Sequence, residues 1–66
     1  MIIKYSNNSG FIRELNVVEE NDYRYLGYIS ISTQTQNGIR TTYKVDKKGV
    51  ISSDGKIIGY TEDYTA

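Results

Sequence analysis

The sequence predicts an all-β fold, a small antiparallel meander of five or six strands, and three observations carry that prediction. Nine Ile, four Val, six Thr, seven Tyr and one Phe make 27 of the 66 residues, while Leu and Ala together supply three. β-Branched and aromatic side chains suit a pleated, half-buried surface and lose rotamer freedom in a helix. Turn-forming clusters recur along the chain: Asn7 to Gly10, Glu20 to Asp22, Gln36 to Gly38, Lys47 to Gly49 and Ser53 to Gly55. No Pro and no low-complexity tract interrupts them, so each strand is expected to pair with the next.

The hairpins can be registered by arithmetic, because a slip of one residue turns every side chain to the other face. Around Asn37 and Gly38, a two-residue loop sets Ile31 against Lys44 and Ile29 against Asp46. A three-residue loop of Gln36, Asn37 and Gly38, with Gly38 left-handed, instead pairs Thr33 with Thr41, Ile31 with Tyr43 and Ile29 with Val45. The second register matches apolar with apolar and is the expected one. The same loop length over Asn8, Ser9 and Gly10 pairs Ile3 with Leu15 and Lys4 with Glu14; over Lys47, Lys48 and Gly49 it pairs Val45 with Ile51.

Residues 11 to 20 admit a second reading, a short helix, since Phe11, Leu15 and Val18 fall at helical spacing after Ser9. A strand is preferred there, because Asn16, Val17 and Val18 are poor helix formers and no Glu completes a capping box. The third strand, expected over Tyr23 to Thr33, carries a parity conflict: Leu26 falls on the face opposite to Ile29 and Ile31. A bulge at Gly27 would resolve it. The expected core is then Ile3, Leu15, Val17, Leu26, Ile29, Ile31, Tyr43, Val45, Ile51 and either Ile57 or Ile58. A long strand bent in its middle curls a sheet, so the expected architecture is a compact barrel, SH3-like or similar, or a strongly coiled sheet.

The run from Lys48 through Gly49, Val50, Ile51 and Asp54, Gly55, Lys56, Ile57, Ile58 to Tyr60 resembles the WG-type β-repeat hairpin of bacterial proteins. Lys48 stands where that family has Trp. The resemblance implies a hairpin in this stretch and carries no site residue with it.

Composition narrows the chemistry. Lys and Arg number eight, as do Asp and Glu, so no net charge draws the chain toward nucleic acid or an anionic membrane. Cys and His are absent, which removes disulfides, thiolate nucleophiles, Cys/His zinc sites and the usual general base near neutral pH. The adjacent carboxylates Glu19 with Glu20 and Glu62 with Asp63 would alternate across a strand and cannot share a proton. No enzyme activity and no cofactor are expected. The N-terminal residues lack a signal-peptide pattern and no run approaches the ~20 apolar residues of a membrane span, so a soluble cytoplasmic chain without membrane contact is expected.

Below about 70 to 80 residues a single core is marginal, and many natural chains add a staple or associate. An open meander would leave its first and last strands unpaired, with Lys4 and Lys56 as guards and Ile58 and Tyr60 on an apolar edge. Tyr23, Tyr25 and Tyr28, outward if Gly27 shifts the parity, offer large contact area with few rotatable bonds. The expected function is therefore a non-catalytic binding module that acts by protein contact, first with copies of itself as a homodimer or higher oligomer. Two other readings rank below it. One is a single-stranded nucleic-acid binder using Arg40, Lys44, Lys47, Lys48 and Lys56 with interleaved tyrosines. The other is an accessory protein of a phage or mobile element that targets a host enzyme, consistent with the chain's richness in Ile, Lys, Asn and Tyr.

Overall fold

In the computed structural model of the chain, which describes residues 1–64, one loop design recurs three times. At its start stands a residue whose side-chain oxygen accepts a backbone N–H from further round the loop. Asn7 Oδ1 accepts from Ser9 and Phe11, both at 2.9 Å; Asp46 Oδ1 accepts from Lys48 at 2.8 Å and Val50 at 3.0 Å; Thr35 Oγ1 accepts from Ile39 at 3.1 Å. At its end stands a glycine with positive φ, namely Gly10, Gly38 or Gly49, whose N–H closes the turn on the starting carbonyl. An L side chain adopts that conformation rarely and at a cost, so the last loop residue is Gly. These are the three loops anticipated from the register argument.

The strands that follow are β1 (Ile2–Asn7), β2 (Ile12–Tyr23), β3 (Tyr28–Gln34), β4 (Arg40–Asp46), β5 (Val50–Ser53) and β6 (Lys56–Tyr60). All expected cross-strand pairs are present: Ile3 with Leu15, Lys4 with Glu14, Thr33 with Thr41, Ile31 with Tyr43, Ile29 with Val45 and Val45 with Ile51. Residues 12–23 are strand, not helix. The β5–β6 hairpin lies where the WG-type resemblance implied one, and it turns on Asp54 and Gly55, both at positive φ, the pattern of a type I′ turn.

The fold is a closed six-stranded antiparallel barrel in sequential order. Closure corrects the expectation of two open edges: β1 pairs with β6 through Ser6 opposite Tyr60 and Asn7 opposite Gly59. Among the described residues these two pairs form the seam, and beyond them side chains of the C-terminal segment take over from the ladder. Thr61 Oγ1 donates to the Lys4 carbonyl at 2.7 Å, and the Lys4 N–H donates to Asp63 Oδ2 at 3.1 Å. The Thr61 N–H also reaches the Gly49 carbonyl at 2.8 Å, which ties the segment to the β4–β5 loop. Both backbone groups of Lys4 are thus satisfied on the side where the β6 ladder has ended.

The core consists of Ile3, Val17, Ile29, Ile31, Val45 and Ile51, with Leu15, Tyr43 and Ile58 partly buried against it, as expected. Leu26 is a correction, for it is 61 % exposed. The turn was expected at Glu20 to Asp22 and a bulge at Gly27, but β2 runs straight through to Tyr23. The chain reverses in a short 3-10 turn, Arg24–Leu26, which Gly27 ends in a left-handed conformation at φ 98°, donating its N–H to the Arg24 carbonyl. Leu26 therefore sits on a turn and never enters a strand. The bulge lies instead at Val18, where Val17 opposes Thr33 but Glu19 opposes Ser32.

Tyr64, unforeseen in the sequence, completes the core from below the barrel. Burial, reinforced by the carboxylates of Glu20 and Asp63, raises its phenol above the ordinary value near 10. The fold thus prefers the neutral phenol. Its contribution to stability is complete below pH ~10 and is lost as pH rises through the raised value. Alkaline unfolding of the Tyr64→Phe variant, followed by circular dichroism, is expected to shift to higher pH than that of the parent chain. An unchanged alkaline transition would show that Tyr64 does not govern it. Among the described residues, no helix is long and apolar enough to cross a membrane.

Candidate functional site

The Val18 bulge decides which side chains meet at the end of the β2–β3 hairpin. Before it, Leu15 and Val17 face inward; after it, the parity of β2 reverses, so that Glu20 opposes Ile31, Asp22 opposes Ile29 and Tyr23 opposes Tyr28. Ile29 and Ile31 are core residues, so Tyr23 and Tyr28 belong to the outer face. Without the extra residue, Tyr23 would turn toward the interior. Asp22 then starts the reversal, its Oδ1 accepting the Arg24 N–H at 3.0 Å while the Arg24 guanidinium swings back to 3.8 Å from the same oxygen.

The three expected tyrosines do come together, although across a turn and not along a bent strand. The Tyr23 ring lies 5.4 Å from that of Tyr28 and 6.3 Å, edge to face, from that of Tyr25. Such offset and T-shaped arrangements are the favoured ones for aromatic quadrupoles. Tyr23 and Tyr28 are half-buried by the contact, while Tyr25 is 80 % exposed at the tip beside exposed Leu26. From β4, the Lys44 ammonium sits 5.0 Å above the Tyr28 ring. A cation in that position covers one face of the ring and holds it in place.

Beneath the cluster is a small apolar hole of about 70 Å³, walled by Gly27, Tyr28, Ile29, Val45 and Tyr64, with Arg24 and Lys47 beside it. The barrel end therefore carries a projecting apolar tip, a recess, the carboxylates of Glu20 and Asp22 on β2 and of Asp46 at the end of β4, and the cations Arg24 and Lys47, with Lys48 next in the β4–β5 loop.

The remaining candidate residues are placed elsewhere. Ile58 is the unpaired residue of an irregularity in the β5–β6 ladder, where Ile51 opposes Gly59 and Ser52 opposes Ile57; it packs against the core and is no edge residue. Tyr60, 43 % exposed, lies on the seam and lines an open groove of about 430 Å³ with Lys4, Ile12 and Asp63. That groove is formed by β1, β6, the C-terminal segment and the start of β2, at the opposite end of β2 from Tyr23. Of the five candidate cations, Lys44 sits over Tyr28, Lys47 lines the recess with it, and Lys48 follows in the β4–β5 loop. Arg40 begins β4, some ~20 Å along the strand from Lys47 at ~3.3 Å per residue. It is spoken for by Glu19, whose Oε2 is 3.5 Å from its Nη1. Lys56 follows the β5–β6 turn, opposite Ser53.

The sequence argument missed Leu26 as a surface residue and Tyr64 as a wall of the recess. Gly27 was the available signal for the first, since a glycine also fits the left-handed end of a tight turn. No family model matches the chain, and neither a curated protein nor a solved structure matches it. Among the described residues, no group of three or more carboxylates is placed to hold a metal ion.

Proposed function

We propose that this chain is a cytoplasmic, non-catalytic binding module that works by protein contact through the tyrosine hairpin, and that it associates with copies of itself. The observation that supports this reading is the exposure of Tyr25 and Leu26 on a turn whose neighbouring rings are already packed in place. A rigid aromatic surface loses little side-chain entropy when it is covered, which is why tyrosine is enriched at contacts between proteins. The strand-edge route has no such support, because β1 and β6 occupy each other.

Sedimentation of the parent chain over a concentration series tests the reading. Self-association is expected, and it is expected to weaken by about tenfold or more in Tyr25→Ser with Tyr28→Ser, the scale of losing two interface aromatics. A chain that stays monomeric throughout would remove the reading. The same reading expects no salt-sensitive binding of labelled oligonucleotides, because Arg40 and Lys56 do not extend the Lys44, Lys47 and Lys48 group into a track. Binding at low salt that is lost in Lys47→Glu with Lys48→Glu would transfer the function to nucleic acid.

A further inference from the structure

We propose that two copies of this chain dock barrel end to barrel end, with Leu26 of each copy seated in the apolar recess of the other and Tyr25 closing over it. The inference rests on the tyrosine-hairpin reading and specifies its occupant. A two-fold interface presents one patch to itself, so that patch must contain both a projection and the recess that receives it, and both signs of charge. This barrel end has all four. Leu26 is 61 % exposed and follows Tyr25, and the recess lies directly behind their turn, since Gly27 and Tyr28 form part of its wall.

Size selects Leu26 as the side chain that enters. An apolar cavity of ~150 Å³ is known to hold a benzene ring. The recess here is about 70 Å³, enough for a branched aliphatic tip and too small for a phenol. Tyr25 is thus left to cover the rim, where its hydroxyl stays in water.

Charge selects a second copy as the occupant. Glu20 and Asp22 are exposed on β2 with one cation, Arg24, beside Asp22, and Lys47 and Lys48 are exposed in the β4–β5 loop with one anion, Asp46, before them, so the two sides keep opposite net charge. A two-fold rotation through the recess lays the acidic strand of each copy against the basic loop of the other. A uniformly charged partner would meet repulsion on one side or the other.

The arrangement makes a mixing experiment decisive. Glu20→Lys and Lys47→Glu are each expected to weaken self-association by about tenfold or more, because each homodimer then brings like charges together at both symmetric contacts. A one-to-one mixture of the two variants is expected to recover it, since both contacts in the mixed dimer pair opposite charges. Leu26→Asp is expected to abolish association while leaving the fold intact, as judged by near-ultraviolet circular dichroism. Association lost in Tyr25→Ser with Tyr28→Ser, but unaffected by Leu26→Asp and not recovered on mixing, would overturn this docking geometry and leave the tyrosine surface as the contact. A parent chain that is monomeric up to about 1 mM would overturn both.

Discussion

Gly59→Ala is expected to open the barrel seam and remove much of the stability of the chain. A Cβ at residue 59 would fall on the carbonyl oxygen of Ser6 and 2.7 Å from Tyr5 Cδ2. The first obstacle is backbone, so no rotamer change relieves it. Either β1 and β6 separate or the two residue pairs that close the seam break. Overpacking of this kind costs roughly 1–3 kcal/mol or more. In so small a domain the whole stability is on the order of 3–5 kcal/mol. Separation of the seam would also uncover Ile3 and Tyr5, which adds to the loss. Gly10→Ala is the control: its Cβ would meet nothing within 4 Å and only the positive φ opposes it. A urea titration in which Gly59→Ala unfolds at the same midpoint as the parent chain would contradict this account of closure.

Ile31→Ala is expected to be nearly as damaging, and Leu26→Ala almost silent. Ile31 is 0 % exposed, opposite Tyr43 on one side and Glu20 on the other. Truncating a buried Ile to Ala costs about 2–5 kcal/mol, according to how far the cavity collapses. The lower half of that range already consumes most of the stability of a domain this size. Leu26 is exposed on the β2–β3 turn, and surface changes usually stay within about 0.5 kcal/mol. Denaturation midpoints of the two variants measure the contrast. A large loss at Leu26 would mean that the β2–β3 turn supports the barrel.

The contrast also shows where the sequence was informative. Hairpin register was legible because it is over-determined: a glycine closes each three-residue loop, and any slip would oppose Ile31 or Ile29 to a charged residue. The β2–β3 reversal lacked that redundancy. Glu20, Asn21 and Asp22 have the composition of a turn, yet β2 carries them as strand because it continues beyond Val17, past the start of β1, where both faces are solvated. Polar residues mark a turn only where a strand would have to bury them. Leu26 was assigned to the core for a related reason: its parity was counted along a strand that does not exist, and the parity change is made by Val18, a residue with no turn chemistry.

The tyrosine cluster was found even so, since Tyr23, Tyr25 and Tyr28 are close in sequence and either geometry brings them together. The Tyr60 groove and the contribution of Tyr64 depend on contacts between the two ends of the chain. Nothing periodic announces such contacts, and Tyr64 follows two acidic residues that give no sign of an interior position. Gly59 did leave a trace. A glycine inside an apolar strand pattern often marks a place where another backbone comes close, and here that backbone is β1.

The narrowness of the β1–β6 seam bears on how the chain moves and assembles itself. Every other strand junction joins neighbours in sequence across a short loop, whereas the seam unites residues more than fifty positions apart. Its formation thus carries the largest chain-entropy cost for only two residue pairs, no more than the short β4–β5 junction has. In folding, the hairpins are expected to form first and the circle to close last. In the native state the order is expected to reverse: the amides of the Ser6–Tyr60 pair should exchange with deuterium ahead of those in the β3–β4 pair, through an excursion in which the ring becomes, briefly, a curled ribbon.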